Sequence, residues 1–364
     1  MKSANRESNN SREVVVMQTK ERNSSLELLR IFCIIGIVIM HTCGPMMNEA
    51  RGVNLIWVQL ENGLFQAGVS IFILISGYFG IKTSFERVIK FEMKVWSYSV
   101  VSGIIIFLVV DDSLIRMIKS VLPIITNKYW FLTGYMLLML FAPFINKAIS
   151  SMNKSMYERL LIIMFCVFFV IPTILYFDIL GDNGKNIINM IFMYMLGGYL
   201  RRYPISLLSS KKVLLLILCV TYTVAFALNT GISVIGKEGA HCPMSRDCSI
   251  FIVVEAVIIF ILFQRLKIQS RLINGIAKHV MATYMLESLI RKLIDQYVFQ
   301  YTKYYGEFYW FIVSILIAVI TVVICICIDY LYDVAFSKSE DRFIKVMKEC
   351  NLYKKVSSVW DINL

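Results

Sequence analysis

The chain contains at 28–47 the apolar run LLRIFCIIGIVIMHTCGPMM, which is long enough to cross a membrane and carries Arg30 and His41. An ionisable side chain inside a membrane-spanning segment is costly, so it is interpreted first as a functional candidate. Eleven residues at 100° each amount to nearly whole helical turns. Both side chains therefore lie on one face of a helix, about 16 Å apart along its axis. Such a pair suits chemistry carried across a bilayer.

Composition extends this interpretation to the whole chain. Hydrophobic residues make up 58% of it and the mean hydropathy is +0.68, whereas soluble domains have roughly 45–50% apolar residues. Only 17% of the residues are charged, too few to solvate the surface of a 364-residue soluble protein. The run at 28–47 is not a cleaved signal peptide, because it holds an Arg and a His and no small-residue cleavage site follows it. We therefore expect an all-α integral membrane protein.

Hydropathy predicts about ten transmembrane helices, each near the length needed for a hydrocarbon core of about 30 Å. With the N-terminus placed in the cytoplasm, the inside segments hold 26 of the 37 Lys and Arg residues and the outside segments hold 10. This positive-inside pattern favours an even number of spans, with both termini cytoplasmic. The net charge of +12 is thereby explained by topology and lipid contact, not by nucleic-acid binding. The predicted spans are 28–47, 64–81, 95–110, 129–145, 160–180, 187–200, 213–231, 249–264, 278–295 and 309–336.

We expect one membrane domain, 26–336, between two polar tails. Residues 1–25 are rich in Ser, Asn and charged residues, which predicts a disordered cytoplasmic tail. Residues 337–364 form a basic cytoplasmic tail. Its segment DRFIKVMKEC (341–350) has apolar residues at helical spacing, so it is either an interfacial helix on anionic lipid or a solvated tail.

The cysteines and the known short motifs add little. Cys242 and Cys248 share a predicted outside loop and could form a disulfide if that side of the membrane is oxidising. No metal-ligand spacing, phosphate-binding loop or nucleophile elbow is present in the sequence, so no metal site is predicted.

His41 and Arg30 offer different chemistry. A neutral imidazole can accept a proton from a hydroxyl near physiological pH, and the structural alternative is a buried His bonded to a backbone carbonyl. Arg30 stays charged and can bind a phosphate bidentately, with Glu27 one turn earlier as its natural ion-pair partner. The alternative for Arg30 is a topology anchor whose head lies in the membrane interface.

The second predicted span ends with Ser76-Gly77-Tyr78 and is followed by the basic residues Arg87 and Lys90. Gly allows two helix backbones to approach closely, and the hydroxyls supply hydrogen bonds within the bilayer. Arg87 and Lys90 are almost one helical turn apart and could together hold a phosphate. Packing for the triplet and ordinary positive-inside charge for the two cations are the alternatives.

Two further positions combine an aromatic or a charged side chain with an apolar span. Trp130 lies where an outside aromatic belt is expected. Glu287 lies about nine residues into a predicted span, where a carboxylate needs a partner. Its partner is either Arg291, one turn later, or a catalytic imidazole that the carboxylate orients.

Taken together, four motifs in order resemble the membrane-bound acyltransferase-3 family, which O-acylates bacterial surface sugars. The resemblance covers nearly the whole chain, about 25–336. The four motifs are Leu29-Arg30 with His41 after ten further residues, Phe72-Ile73-Leu74-Ile75-Ser76-Gly77-Tyr78, the basic Arg87-Val88-Ile89-Lys90, and Trp130-Phe131-Leu132 followed by Pro143.

The chain departs from the family pattern at two places. Lys90 replaces the second arginine of the usual Arg-x-x-Arg motif, which keeps the charge but loses the planar fork. Tyr284-Met285-Leu286-Glu287 stands where many members have Tyr-Leu-Ile-His, so a carboxylate takes the place of a second histidine.

The resemblance implies an integral-membrane O-acyltransferase that transfers an acyl group, usually acetyl, from acyl-CoA to a hydroxyl. The acceptor would be a cell-surface polysaccharide or its lipid-linked precursor, and the location the bacterial plasma membrane. Acyl-CoA would be a co-substrate, with no tightly bound cofactor. His41 would act as general base or as a transient acyl carrier. The implied residues are His41 and Glu287 for catalysis; Arg30, Ser76, Arg87 and Lys90 for acyl-CoA binding; and Glu27, Gly77, Tyr78, Trp130 and Tyr284 in support.

Two other membrane functions fit the same span count. A transporter or exporter of lipid-linked glycans would use intramembrane charges to line its pathway, but the sequence has no evident inverted repeat or matched pair of broken helices. A polysaccharide polymerase usually has a large outside loop, whereas the longest predicted one here is 232–248. CoA release distinguishes an acyltransferase from both.

Overall fold

The computed structural model describes residues 23–109, 114–205, 210–236 and 239–360, and within these ranges the chain is helical without any strand. The predicted disordered tail 1–25 falls almost entirely outside the described residues. The helices are α1 (Ser24–Cys43), α2 (Gly52–Phe65), α3 (Gly68–Phe79), α4 (Phe85–Val109), α5 (Leu114–Lys119), α6 (Trp130–Ser151), α7 (Lys154–Phe165), α8 (Ile171–Leu175), α9 (Ile187–Arg202), α10 (Lys211–Gly236), α11 (Ile250–Gln264), α12 (Arg271–Ile276), α13 (Val280–Leu293), α14 (Trp310–Glu349) and α15 (Asn351–Trp360).

Seven helical stretches in the described part of the chain are long and apolar enough to cross a membrane. The predicted spans 187–200, 249–264 and 278–295 coincide with α9, α11 and α13, which are shorter helices. An all-helical membrane architecture is therefore confirmed, whereas the predicted number of ten spans is not. The seven stretches are Ser24–Met46, Gly52–Phe79, Phe85–Val109, Trp130–Ser151, Lys154–Leu175, Lys211–Gly236 and Trp310–Glu349.

The loops predicted inside meet at one end of the bundle, and those predicted outside meet at the other. The inside contacts include Ser24 Oγ to Ser270 O (3.4 Å) and Arg201 Nη1 to Phe79 O (3.1 Å); the outside contacts include Ala240 N to Met47 O (2.6 Å) and Cys248 N to Asn183 O (3.3 Å). The contacts agree with the alternation that the charge pattern requires. Which end faces the cytoplasm remains a prediction from the positive-inside pattern.

Helix α1 lies at the centre of the bundle. The side chain of Asn23 caps its start by accepting from the backbone N–H groups of Ser25 (3.1 Å) and Leu26 (3.3 Å), as N-cap residues do. The helix ends in a 3₁₀ turn that contains Pro45. Because α1 packs against α2, α3, α11, α13 and α14, any functional group on it faces other helices more than lipid.

Two glycines set the close crossing of α3 and α9. A Cβ at Gly77 would lie 1.9 Å from the backbone oxygen of Tyr194, and one at Gly197 would lie 2.2 Å from that of Leu74. Only glycine fits such an approach, as at other small-residue crossings in membranes. The crossing fixes α3, whose opposite face borders the candidate site.

The C-terminal part differs from the predicted boundary at 336, because α14 continues to Glu349 and α15 follows it. Phe343 and Val346 are exposed, in keeping with an apolar face on this segment, and Tyr353 packs on Phe85 at a ring-centroid distance of 5.1 Å. Whether this face lies on a lipid surface remains a prediction.

Cys242 and Cys248 are not joined in the structure. Both are free thiols; Cys242 Sγ donates to Gln59 Oε1 (3.3 Å), and Cys248 is buried. The disulfide considered for this loop is therefore absent here.

Candidate active site

Two cavities meet along one face of α1. The first, the Arg30 cavity, has a volume of about 220 Å³ and is mainly apolar; the second, the His41 cavity, has a volume of about 560 Å³ and is lined by polar and apolar side chains alike. Both are lined by Ile37, Val69 and Tyr284, so these three side chains form a shared wall. The predicted alignment of Arg30 and His41 on one helix face thus places one group in each of two adjoining cavities.

His41 is held by a buried ion pair on α13. Its Nδ1 lies 3.0 Å from Glu287 Oε1, while Arg291 Nε donates to Glu287 Oε2 at 2.6 Å. Arg291 Nη1 also donates to the backbone oxygen of His41 at 2.9 Å. The His41 side chain is 40% exposed, whereas that of Glu287 is only 6% exposed, so the imidazole faces the cavity and the carboxylate lies behind it.

This arrangement determines which imidazole nitrogen can react. A carboxylate at Nδ1 favours the tautomer with the proton on Nδ1, and it leaves Nε2 as a proton acceptor toward the cavity. Ser-His-Asp sites orient their imidazole in the same way. Both partners considered for Glu287 in the sequence, Arg291 and an imidazole, contact it at once. The catalytic roles of His41 and Glu287 remain predictions.

The Arg30 cavity places a cation beside apolar walls. Arg30 Nη1 lies 3.5 Å from Glu27 Oε2, and Arg30 Nε is buried without a hydrogen-bond partner. Ser76 also lines the cavity, with its hydroxyl donating to Phe72 O (2.9 Å). Lys278 supplies a second, exposed cation. The cavity can therefore accept an anionic group at one side and an apolar chain along the rest.

Arg87 and Lys90, predicted to bind the same ligand, do not line the Arg30 cavity, although the neighbouring Phe91 does. Arg87 Nη1 donates to the backbone oxygen of Lys82. Lys90 is paired with Asp341 (3.0 Å) and Glu86 (3.2 Å). The structure thus gives both cations other partners, and their role in acyl-CoA binding remains a prediction.

The predicted supporting residues divide between packing and cavity wall. Gly77 and Tyr78 face away from the Arg30 cavity: Gly77 contacts α9, and the Tyr78 hydroxyl accepts from Gln264 Nε2 (2.5 Å). Trp130 lines the His41 cavity, and Tyr284 belongs to the shared wall. Trp130 and Tyr284 therefore border the space where a substrate would lie, whereas Gly77 and Tyr78 hold helices together.

An ion network braces the start of α13. Asp329 is fully buried and receives three donors: His279 Nδ1 (2.7 Å), Lys94 Nζ (2.8 Å) and the Tyr98 hydroxyl (2.5 Å). Each of its two oxygens thus already accepts from at least one donor. Because Ala277 lies directly before this point and lines the Arg30 cavity, the network fixes one wall of that cavity.

Several residues of the site were not singled out in the sequence. Lys278 lines the Arg30 cavity together with Arg30. On the wall of the His41 cavity, Gln66 donates a hydrogen bond to Asp247 (3.1 Å), and Lys185 Nζ lies 5.8 Å from the centroid of the Trp130 ring. Gln66 and Lys278 lie within predicted spans, and Lys185 and Asp247 lie in predicted loops, but none of them belongs to a motif quoted above.

A family model described as an acyltransferase domain, that of the acyltransferase-3 family, matches residues 23–330. No curated protein and no solved structure matches the chain. The matched region contains every residue that lines the two cavities. The chain belongs to the acyltransferase-3 family, and its long apolar helices make it a multi-pass membrane acyltransferase.

Proposed function

We propose that this protein transfers an acetyl group from acetyl-CoA to a hydroxyl of a cell-surface polysaccharide or its lipid-linked precursor, in the bacterial plasma membrane. The observation that carries the proposal is the pair of adjoining cavities, with Arg30 in one, His41 in the other and a shared wall of Ile37, Val69 and Tyr284. One substrate can approach from each side, and the two meet beside the imidazole.

The Arg30 cavity suits the acyl donor. Its volume of about 220 Å³ is below the roughly 300–1,000 Å³ of pockets that enclose a whole ligand. It therefore fits the thioester and the pantetheine arm, with the nucleotide outside. Arg30 and Lys278 can bind phosphate oxygens at its edge, and the apolar walls pack against the arm. This assignment places the Arg30 cavity on the cytoplasmic side, where the positive-inside pattern also puts it.

The His41 cavity suits the acceptor. It is larger and more polar than the Arg30 cavity, and its wall includes the exposed residues Asn183 and Lys185, so it reaches the surface between the loops. Aromatic side chains such as Trp130 offer the flat apolar surface on which sugar rings pack.

Acyl transfer then needs one base and one orienting group. His41 Nε2 accepts the proton of the acceptor hydroxyl as its oxygen attacks the thioester carbonyl. The C–O bond forms, the C–S bond breaks, and the CoA thiolate takes up the proton from the imidazolium. Glu287 keeps the proton on Nδ1 throughout and stabilises the transient imidazolium, while Arg291 compensates the carboxylate charge.

The proposal is tested by release of CoA from acetyl-CoA by the purified, detergent-solubilised protein, with envelope polysaccharide or its lipid-linked precursor supplied as acceptor. His41→Ala should lower the rate of CoA release by about 10²-fold or more, while the thermal unfolding midpoint and its shift by acetyl-CoA stay near those of the wild type. Full activity of this variant would remove His41 from the reaction. Labelled acetyl trapped on the wild-type protein would assign the acyl-carrier role to His41 instead. Absence of CoA release from wild-type protein in native membranes would favour a transporter or a polymerase.

A further inference from the structure

A buried carboxylate faces the His41 cavity with one oxygen unused. Asp247 is 5% exposed, and its Oδ1 accepts from Gln66 Nε2 at 3.1 Å. Its Oδ2 is buried and has no hydrogen-bond partner. A buried acceptor without a donor is destabilising, because it loses its water and gains nothing in return. Because Asp247 is among the residues that line the His41 cavity, a substrate in that cavity is the group that can supply the missing donor.

The loop that carries Asp247 is fixed in place before any substrate binds. Neighbours on both sides of Asp247 are bonded to other elements, which excludes a simple collapse of the side chain into the protein. The bonds are Asn229 Nδ2 to Ser245 Oγ (3.0 Å), Met244 N to Asn229 Oδ1 (2.8 Å), Arg246 Nη2 to Pro172 O (2.6 Å) and Cys248 N to Asn183 O (3.3 Å).

The charges around Asp247 leave it ready to accept a hydrogen bond. Burial raises the pKa of Asp247 to about 6, while the bond from Gln66 and the ammonium of Lys185 lower it and the Asp182 carboxylate raises it. At neutral pH the carboxylate is thus ionised. A sugar hydroxyl is the donor that matches an anionic oxygen without bringing a competing charge.

Resting on the proposed function, we infer that Asp247 binds a second hydroxyl of the acceptor and so restricts acylation to polyhydroxylated substrates, that is to saccharides. One hydroxyl is presented to His41 Nε2, and another donates to Asp247 Oδ2. Gln66 holds the carboxylate, and Trp130 lines the same cavity as a packing surface for the ring. Asp247 is an acceptor-binding residue and takes no part in proton transfer.

The decisive variant is Asp247→Asn. Asparagine keeps an oxygen that can accept from Gln66, but it places an amide donor where Oδ2 was. The matched control is Glu307→Gln, which removes one negative charge at the same end of the bundle. Glu307 is exposed, and its backbone oxygen accepts from Asn54 at the start of α2; its side chain does not line the His41 cavity.

Two measurements are made on each variant. In a strain lacking the gene, complementation is followed as base-labile acetate on the envelope polysaccharide. With purified protein, acetyl-CoA binding is followed as the shift that acetyl-CoA causes in the unfolding midpoint. We expect Asp247→Asn to lower the bound acetate about tenfold or more, the effect of losing a charged hydrogen bond, with an unchanged acetyl-CoA shift. Glu307→Gln should match the wild type in both.

The unfolding midpoint without ligand separates acceptor binding from a structural role. At pH 8 the midpoint of Asp247→Asn should equal or exceed that of the wild type, because an unsatisfied buried charge has been removed. A lower midpoint, or wild-type acetate in this variant, would overturn the assignment of Asp247. If wild-type protein restores no acetate and does not bind acetyl-CoA, the proposed function itself fails.

Discussion

The pair formed by Glu287 and His41 gives the sharpest test of the active site. In the variant Glu287→Gln the side chain keeps its shape but loses its charge. In the wild type, the Glu287 carboxylate accepts from His41 Nδ1 (3.0 Å) with one oxygen and from Arg291 Nε (2.6 Å) with the other. An amide has only one acceptor oxygen, so it can accept a hydrogen bond from only one of these two donors. It places its own N–H groups against the other donor.

The expected loss of activity follows from the imidazole tautomer. If the amide donates to Nδ1, the imidazole proton moves to Nε2, and the nitrogen that faces the cavity can no longer accept a proton. In Ser-His-Asp sites, removing the charge of the orienting carboxylate in this way lowers kcat by about 10⁴. Because His41 is 40% exposed and water can partly replace the lost partner, we expect a reduction in kcat of about 10²–10⁴. The KM for acetyl-CoA should change little, since Glu287 does not line the Arg30 cavity.

Stability changes for a different reason. The Arg291 side chain is only 14% exposed, and breaking a buried ion pair by removing one partner costs about 3–5 kcal/mol. Arg291 retains its bond to the backbone oxygen of His41 (2.9 Å), so we place the loss at the low end, about 3 kcal/mol. The second variant, Glu287→Gln with Arg291→Met, removes both charges and should regain most of this stability.

The two variants together separate folding from catalysis. Thermal unfolding measures the stability, and CoA release with a thiol reagent measures the rate, at saturating acetyl-CoA. We expect the double variant to unfold near the wild-type midpoint while its rate stays as low as that of Glu287→Gln. If Glu287→Gln works within about threefold of the wild type, or if the double variant regains the rate with the stability, then Glu287 does not orient a catalytic imidazole.

Three further perturbations test the cavities, the packing and the buried loop. Val69→Trp should close the contact between the two cavities and lower the transfer rate about 100-fold. Val101→Trp, at a 52% exposed position on α4, is the control. A full rate in Val69→Trp would contradict passage of the acyl group past this wall. Gly77→Ala should destabilise the fold by about 3 kcal/mol, because its Cβ would lie 1.9 Å from the backbone oxygen of Tyr194. The control is Gly231→Ala, whose Cβ would have no atom within 4 Å and which should be neutral or slightly stabilising. Burial raises the pKa of Asp247 from 3.8 to about 6, so between these pH values the folded protein binds more protons than the unfolded one. The free energy of unfolding therefore falls as the pH rises from about 4 to 6, by up to ~3 kcal/mol. The unfolding midpoint of Asp247→Asn relative to that of the wild type should rise over this window and stay level above it.

The fold was predictable where hydropathy is continuous and less so at the ends of helices. The run at 28–47 forms α1 and its following turn, as expected. The predicted span 64–81 begins too late, since α2 starts at Gly52; the first half of that helical stretch carries buried polar groups such as Gln59 and Glu61, which lower its hydropathy. The end of α14 was missed because charged residues beyond 336 can continue a helix once it has left the membrane.

Site residues were predictable when the cost of burial showed in the sequence. Arg30, His41 and Glu287 are ionisable groups within apolar runs, and each lies at the two cavities or directly behind them. Asp247 lies in a polar predicted loop, and Lys278 is the first residue of a predicted span, where a lysine at the membrane interface is ordinary. Nothing in the sequence therefore distinguishes either residue from a solvated charge. Their burial or their cavity position arises from contacts between loops far apart in the chain.

The proposed function would give the spacing of Arg30 and His41 a physical reason beyond helical periodicity. A donor bound at Arg30 must bring its thioester past Ile37, Val69 and Tyr284, two aliphatic side chains and one phenol, before it reaches the imidazole. An apolar passage admits the pantetheine arm but few water molecules, so the thioester meets the acceptor hydroxyl more readily than water. A shorter spacing would put the base in the same cavity as the phosphate-binding cations and open the thioester to hydrolysis from that side. On the proposed function, the separation of about 16 Å along α1 would match the task of moving an acyl group, without the nucleotide, from one side of a membrane to the other.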